Sequence, residues 1–325
     1  MTEDLRAYQE KLNDAIAQIE FDKHPNELYA PLAYTLDLGG KRMRPILAIM
    51  AYLTKKKDWE TIIHPALSIE LFHNFTLIHD DIMDEAPLRR GQETVYKKWN
   101  KDIAILSGDT LMIMAYDLLL EAQYDDIRYL IKLFNQCAIE VCEGQQLDMN
   151  FENLPTVSEE EYIEMIKLKT AVLLGYSLEL GGLLAGMTRE EAIHLRDFGV
   201  NIGIGFQLKD DILDVYGDAD KFGKQVGGDI LANKKTFLLL KAIEHAEGDA
   251  AQNLEYWLQQ TEFDVHKKVQ EVKKVYEQLK IKEISEQKMN HYFDLGFQQL
   301  DDLDSSKYDL EPLKAFTQAL IQRDH

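Results

Sequence analysis

Apolar residues recur at three- and four-residue intervals along nearly the whole chain, and almost nowhere do they alternate one-for-one with polar ones. That period places them on one face of an α-helix rather than of a strand. It predicts helices over 3–20, 26–38, 43–54, 61–84, 93–99, 102–123, 126–148, 159–184, 189–216, 234–246, 249–260, 264–279 and 281–302, with a last one near 309–322. Two of these starts carry a capping signature. Ser158-Glu159-Glu160-Glu161 and Thr188-Arg189-Glu190-Glu191 fit the S/T-x-x-E box, in which hydroxyl and carboxylate satisfy orphan backbone N–H groups. Breaks fall at 55–58, 85–92, 149–157 and 217–233, and there is no strand-like alternation of useful length. The pattern reads as all-α, one domain spanning 1–325.

Two stretches violate the apolar pattern in the same way. In 73–84 (HNFTLIHDDIMD) and 206–216 (FQLKDDILDVY), three carboxylates stand where a buried helix should carry Leu or Ala. At i, i+1 and i+4 the outer pair shares a helix face, and like charges there cost a few tenths of a kcal/mol per pair. Buried without compensation they would cost far more. A lone copy would be a solvated helix turn. Two copies, each in apolar context and each followed by a basic loop, call for a positive partner, and hard divalent cations suit all-oxygen ligands. His73 lies on the stripe of Asp80, two turns or about 10 Å earlier, and Gln207 lies on that of Asp210, Asp211 and Asp214. Long helix, acidic triplet and basic loop thus occur twice, as two walls expected to face each other.

Charge sharpens the picture. Lys+Arg 36 against Asp+Glu 57 gives a net charge of -21, which argues against nucleic acid or an anionic membrane as partner. The few basic clusters therefore stand out: Lys41-Arg42-Met43-Arg44, Arg89-Arg90 and Lys234-Lys235. Carboxylates, Mg²⁺ and a ring of Arg and Lys suit a di- or triphosphate. The usual glycine-rich nucleotide cradles are absent, and Gly203-Ile204-Gly205 inside a helical run reads as close helix packing. Cys137 and Cys142 read as buried, reduced thiols. The acidic N-terminus is unlike a signal peptide, and the longest unbroken apolar stretch, 45–53, is too short to span a membrane. A cytoplasmic protein without a membrane span is expected.

The residues in order resemble the trans-isoprenyl diphosphate synthases. The matches are Gly39-Gly40-Lys41-Arg42-Met43-Arg44-Pro45, His73, Asp80-Asp81-x-x-Asp84, Arg89-Arg90-Gly91, Gly144-Gln145 with Asp148, Lys169-Thr170, Phe206-Gln207-x-x-Asp210-Asp211-x-x-Asp214, Gly223-Lys224 and Lys234. They cover roughly residues 39–236. The resemblance implies a bundle of antiparallel helices around a deep central cavity (the isoprenoid synthase fold) and a homodimer. It also implies head-to-tail condensation of isopentenyl diphosphate with an allylic diphosphate (dimethylallyl, geranyl or farnesyl). By the family's pattern Asp80, Asp81, Asp84 and Asp210 hold three Mg²⁺ ions, with Asp211 and Asp214 in the same metal-binding set and Asp214 less direct. Arg89, Lys169 and Lys224 contact the allylic diphosphate, with Lys234 close by. Lys41, Arg44, His73 and Arg90 hold isopentenyl diphosphate, and Thr170 and Gln207 line the space where the allylic cation forms.

Chemistry agrees with those roles. Charge developing on a departing diphosphate needs preorganised cations, the nascent carbocation needs shelter from water, and no protein nucleophile is required. Phe75 lies five residues before Asp80 and Thr76 four before, with no insertion in the acidic motif. By resemblance this favours a twenty-carbon product, geranylgeranyl diphosphate, with farnesyl diphosphate the alternative; Met112 and Ala115 are candidate facing residues. A terpene cyclase is disfavoured because the second metal motif is again D-D-x-x-D, and a silent partner subunit because neither acidic cluster is lost. A basic C-terminal tail closing the site is not supported by Ile321-Gln322-Arg323-Asp324-His325.

Overall fold

The computed structural model describes residues 2–217 and 227–322, and they are almost entirely helical. Two compact units are distinguished: Met1–Gln136 with Tyr176–Arg196 and Leu303–Phe316, and Cys137–Gly175 with Asp197–Asp302 and Thr317–His325.

In the first unit, helix α4 (Ile63–Met83) is packed by α1 (Thr2–Ala17), α3 (Met43–Leu53), α5 (Val95–Lys98) and α6 (Lys101–Leu120), while α2 (Asn26–Asp37) lies on α6. A 3-10 turn, Trp59–Ile62, precedes α4, so the predicted 61–84 helix opens tighter than expected. Ala66, Leu67, Ile69, Leu71 and Phe72 are all fully buried, as befits a helix apolar on most sides. Phe134 anchors an aromatic cluster, its ring 5.2 Å from Phe72, 4.7 Å from Tyr116 and 5.8 Å from Tyr176. Phe72 and Phe134, both fully buried, each contribute roughly 1.5–3 kcal/mol. Gly108 lets α6 approach α4: a Cβ there would lie 2.4 Å from the His79 ring.

Helix α6 is long and apolar enough to cross a membrane by length and composition. Asp109 and Asp117 interrupt it, however, and its inner face (Ala104, Leu111, Ala115, Leu119) is core. Its outer face exposes Leu106 (58 %), Ile113 (61 %) and Leu120 (55 %), one residue every two turns.

The 85–92 break holds a small hairpin that the apolar pattern did not show. Leu88–Arg89 pairs antiparallel with Gln92–Glu93 across a two-residue turn. Arg90 (φ 53) and Gly91 (φ 76) are both left-handed, as a type I′ turn requires.

The second unit is built on two cores. Tyr162, Met165, Ile166, Leu208 and Phe237 form one, and Val215, Leu238, Trp257, Val272 and Tyr276 the other. Both capping boxes form: Ser158 with Glu161 in this unit, Thr188 with Glu191 in the first. The predicted 159–184 helix is not continuous. Between α8 (Glu159–Ile166) and α9 (Val172–Leu184) lies a π-helical turn, Lys167–Ala171. Its extra backbone is received by two glycines. A Cβ on Gly144 of α7 (Ile127–Glu152) would sit 2.2 Å from Lys169 N, and one on Gly203 of α10 (Arg189–Tyr216) 2.7 Å from Ala171 Cα. Gly203 therefore has the packing role expected of it.

Within the predicted 217–233 break, Gly228–Leu231 forms a single helical turn, α11. Beyond it come α12 (Phe237–His245), α13 (Gly248–Gln259), α14 (Val265–Gln278), α15 (Ile281–Asp301) and α16 (Glu311–Ile321), close to their predicted limits. Cys137 is buried as expected, but Cys142 is exposed, because it lies on the outer face of α7; both are free thiols.

Candidate functional site

The glycine–arginine segment 39–44 is shaped by backbone freedom and by one buried ion pair. Gly39 (φ 73) and Gly40 (φ 153) turn the chain, and Arg42 itself is left-handed (φ 50). Arg42 is buried, donating from Nη1 to Glu70 Oε1 at 2.7 Å, from Nη2 to Leu36 O at 2.8 Å and from Nε to Asn13 Oδ1 at 3.2 Å. Asn74 Nδ2 reaches the same Glu70 oxygen at 3.3 Å. With Arg42 pinned inward, its neighbours point elsewhere: Lys41 is exposed and Arg44 Nη1 donates to His73 Nε2 at 3.0 Å. A guanidinium cannot accept, so His73 presents a lone pair at Nε2 and carries its proton on Nδ1. Burial, reinforced by Arg44, Arg90, Arg89 and Arg42, holds His73 well below its ordinary pKa, so the imidazole is neutral. Arg90 lies flat over Gly40, where a Cβ would be 3.0 Å from its guanidinium.

The hairpin turns Arg89 back onto the end of α4. Its Nε donates to Asp81 Oδ1 and Oδ2 at 2.9 and 3.0 Å, and Nη2 is 2.8 Å from Asp81 Oδ1 and 3.5 Å from Asp80 Oδ2. Burial pushes the Asp81 carboxyl up, against the pull of Arg89. Burial also works against the Arg89 charge, yet Asp81, Asp80 and Asp84 hold it above the ordinary arginine value. Asp84 ends the helix, exposed, its N–H donating to Asp80 O at 2.8 Å. Asp80, Asp81, Asp84, Arg89, Arg90, Arg44 and His73 are thus gathered along the second half of α4 in the first unit, and Lys41 is exposed in the adjoining basic segment.

The second unit gathers its own set. The π turn presents Lys169 and Thr170: Lys169 Nζ is 2.6 Å from Asp148 Oδ2, and Thr170 Oγ1 donates to Gln207 Oε1 at 3.4 Å. Gln207 Nε2 donates to Asp211 Oδ1 at 3.3 Å, and the Tyr162 hydroxyl donates to Asp211 Oδ2. Both Asp211 oxygens are therefore taken by neutral donors in a buried setting, whereas Asp210 next to it is exposed. Burial pushes Asp211 up to about 7, against Lys234 and the Tyr162 hydroxyl. Asp214 Oδ2 accepts from Asp229 N at 2.9 Å, so it seats the turn α11. Lys234 is 3.7 Å from Asp229 Oδ1. Although burial works against its charge, Asp229, Asp211, Asp148 and Asp214 together hold the ammonium above its ordinary value. Lys224 lies outside the described residues.

Among the described residues no three His, Cys, Asp or Glu side chains converge on a single metal position. Each cluster offers one or two half-buried or exposed carboxylates, Asp80 and Asp84 in one, Asp210 in the other. That donor set suits Mg²⁺, which takes one or two carboxylates and completes its shell with water and phosphate oxygens.

Three contributors escaped the sequence reading. Glu70 was legible as a single acid in the apolar run of α4, but not its partner Arg42. Asp229, in the Gly-Gly-Asp stretch, and Tyr162, at an apolar helical position, gave no signal of their own.

A model of the polyprenyl synthetase family matches residues 25–279. The chain is 41 % identical over 222 residues, 68 % of either chain, to a geranylgeranyl diphosphate synthase of Methanosarcina mazei. It is 40 % identical over 231 residues, 70 % of either chain, to a short chain isoprenyl diphosphate synthase of Methanocaldococcus jannaschii. A geranylgeranyl pyrophosphate synthetase structure from Pyrococcus horikoshii superposes with a TM-score of 0.87 at 31 % identity, covering 99 % of this chain and 96 % of that one. With both acidic clusters, the Lys41–Arg44 segment and the Lys169–Thr170 turn in place, the chain belongs to the polyprenyl synthetase family of prenyltransferases.

Proposed function

We propose that this prenyltransferase condenses isopentenyl diphosphate with an allylic diphosphate and stops at geranylgeranyl diphosphate, with farnesyl diphosphate the second reading of its product. The observation that carries the reaction is the segregation of cations. Arg44 is bonded to neutral His73, with Arg90 close by and Lys41 exposed in the same basic segment, while Arg89 is bonded to Asp81 and Asp80. Two diphosphates call for two such sets. Arg89, Lys169, Lys224 and Lys234 are assigned to the allylic diphosphate, and Lys41, Arg44, His73 and Arg90 to isopentenyl diphosphate. Asp80, Asp81, Asp84 and Asp210 would hold Mg²⁺, three ions by the family's pattern. Asp211 and Asp214 belong to the same acidic motif, but the hydrogen bonds they accept from Tyr162 and Gln207 and from the Asp229 N–H favour a supporting role for them. When bound, the metal neutralises charge on the departing diphosphate. His73, neutral, orients the Arg44 fork; Thr170 and Gln207 present uncharged dipoles toward the forming cation rather than a nucleophile. We take the two units to act together as one catalytic domain.

The product assignment draws on the names of the relatives and on Phe75, whose ring is 5.6 Å from Phe72 and 4.7 Å from His79, with Thr76 beside it. Ala115 is fully buried and Met112 half-buried on α6. The Leu106, Ile113 and Leu120 stripe of α6 favours a second copy of the chain as its cover, hence a homodimer, and a cytoplasmic setting fits the soluble substrates. The deciding experiment is incubation with labelled isopentenyl diphosphate, each allylic starter and Mg²⁺, for the parent and for Asp80→Ala and Asp210→Ala singly. Chain extension by the parent and its loss in both variants is expected; extension at the parent rate by either variant overturns the reading.

A further inference from the structure

Lys268 on α14 is completely buried, an unusual place for an ammonium group. Among the described residues no carboxylate pairs with it. Its Nζ donates to Asn233 Oδ1 at 2.7 Å and lies 3.4 Å from Leu231 O, and it sits 4.2 Å from the centroid of the Phe263 ring. Burial alone pulls it below the ordinary lysine value, as expected where no counter-charge offsets desolvation. Such an ammonium is expensive to keep, and the mechanism above makes no use of it.

What it grips is the backbone leading into Lys234. Leu231 ends the short turn α11, and Asn233 is left-handed (φ 50), a conformation that asparagine tolerates better than most residues. Asn233 is fixed twice more, by its N–H donating to Ile230 O at 3.2 Å and its Nδ2 donating to Leu258 O at 3.0 Å. The residue that follows is Lys234, whose N–H donates to Asp229 O at 2.9 Å and whose ammonium stands among Asp229, Asp211, Asp148 and Asp214. A slip in the φ of Asn233 would swing Lys234 away from all four. A carboxylate in place of the amide would bind Lys268 more strongly but would add a fifth negative charge beside that cluster. An amide–ammonium pair holds the turn without doing so.

We infer that Lys268 is a positioning residue that locks the left-handed turn at Asn233 and so aims Lys234 at the allylic diphosphate. This rests on the assignment of Lys234 given above. In steady-state assays, Lys268→Met is expected to raise KM for the allylic diphosphate about tenfold or more while leaving KM for isopentenyl diphosphate at the parent value. Placed in a Lys234→Ala background it is expected to change nothing further. An equal loss for both substrates, or a loss that adds in full to that of Lys234→Ala, overturns the inference. Should the methionine variant not fold, Lys268→Gln, which keeps a donor for Asn233, gives the same comparison and is expected to shift only the allylic KM. Parent kinetics for Lys234→Ala would instead remove Lys234 from the diphosphate site, and the positioning role of Lys268 with it.

Discussion

Gly144→Ala asks whether the π turn at Lys167–Ala171 serves the reaction. The added methyl would lie 2.2 Å from Lys169 N and 2.6 Å from both Leu168 C and Lys169 Cα. All three are backbone atoms, so no rotamer change relieves the clash, and the turn must retreat by about 1 Å or more to reach ordinary contact. Overpacking of that kind costs about 1–3 kcal/mol, offset by about 0.8–1 kcal/mol from the better helix propensity of alanine. The net loss of stability is therefore small, about 0–2 kcal/mol, a few degrees in melting temperature at most. Activity should suffer more. Lys169 carries the ammonium 2.6 Å from Asp148, and a displacement of about 1 Å in a positioning group costs about 10²-fold in rate. The assay is kcat/KM with both diphosphates beside a thermal melt. Gly182→Ala serves as comparator, because its Cβ meets side-chain atoms, Leu195 Cδ1 at 2.7 Å and Met187 Sδ at 3.0 Å, away from Lys169. If Gly144→Ala keeps the parent kcat/KM, or loses no more than Gly182→Ala, the turn is not a device for placing Lys169.

Glu70→Ala leaves the buried Arg42 guanidinium without its carboxylate and should destabilise the protein by about 3–5 kcal/mol in urea unfolding; the double variant with Arg42→Met should recover part of that loss, and a single variant near parent stability would contradict the ion pair's role. Phe75→Ala should lengthen the product, read by chromatography of the extracted prenols; an unchanged distribution removes Phe75 as the floor. His73→Gln should flatten the acid limb of the stability curve. With its folded pKa well below 6.5, the native imidazole refuses a proton that the unfolded chain accepts, so stability falls as pH drops through 6.5 toward the folded value. Urea midpoints for parent and variant should therefore differ progressively between pH 7 and pH 5, and parallel curves would refute a neutral His73.

The parts of the fold legible in the sequence are those set by local chemistry. Helix existence followed from apolar spacing, and the starts at Ser158 and Thr188 from side chains that reach their own backbone. The acidic clusters were legible because charge in an apolar run is anomalous wherever it occurs. What was hidden depends on partners distant in the chain. Lys167-Leu168-Lys169-Thr170-Ala171 has ordinary helix propensity, and only the glycines opposite make room for a π turn. Asp210 and Asp211 are equivalent in the motif; Tyr162, 49 residues earlier, makes one a buried acceptor while the other stays exposed. The Arg90-Gly91 turn lacks the usual Asn-Gly pair, so its hairpin is carried by Gly91 and by the latch of Arg89 on Asp81.

That latch has a consequence for how ligands arrive. With Arg89 resting on Asp80 and Asp81, the two carboxylates already have a resident counter-ion, and a lone divalent cation would have to displace it, leaving three positive charges crowded together. A metal that came with a prenyl diphosphate trianion would offer the guanidinium new phosphate oxygens as it gave up the old carboxylates. On the proposed reading, Arg89 would thereby let this acidic pair discriminate against bare cations and accept them escorted.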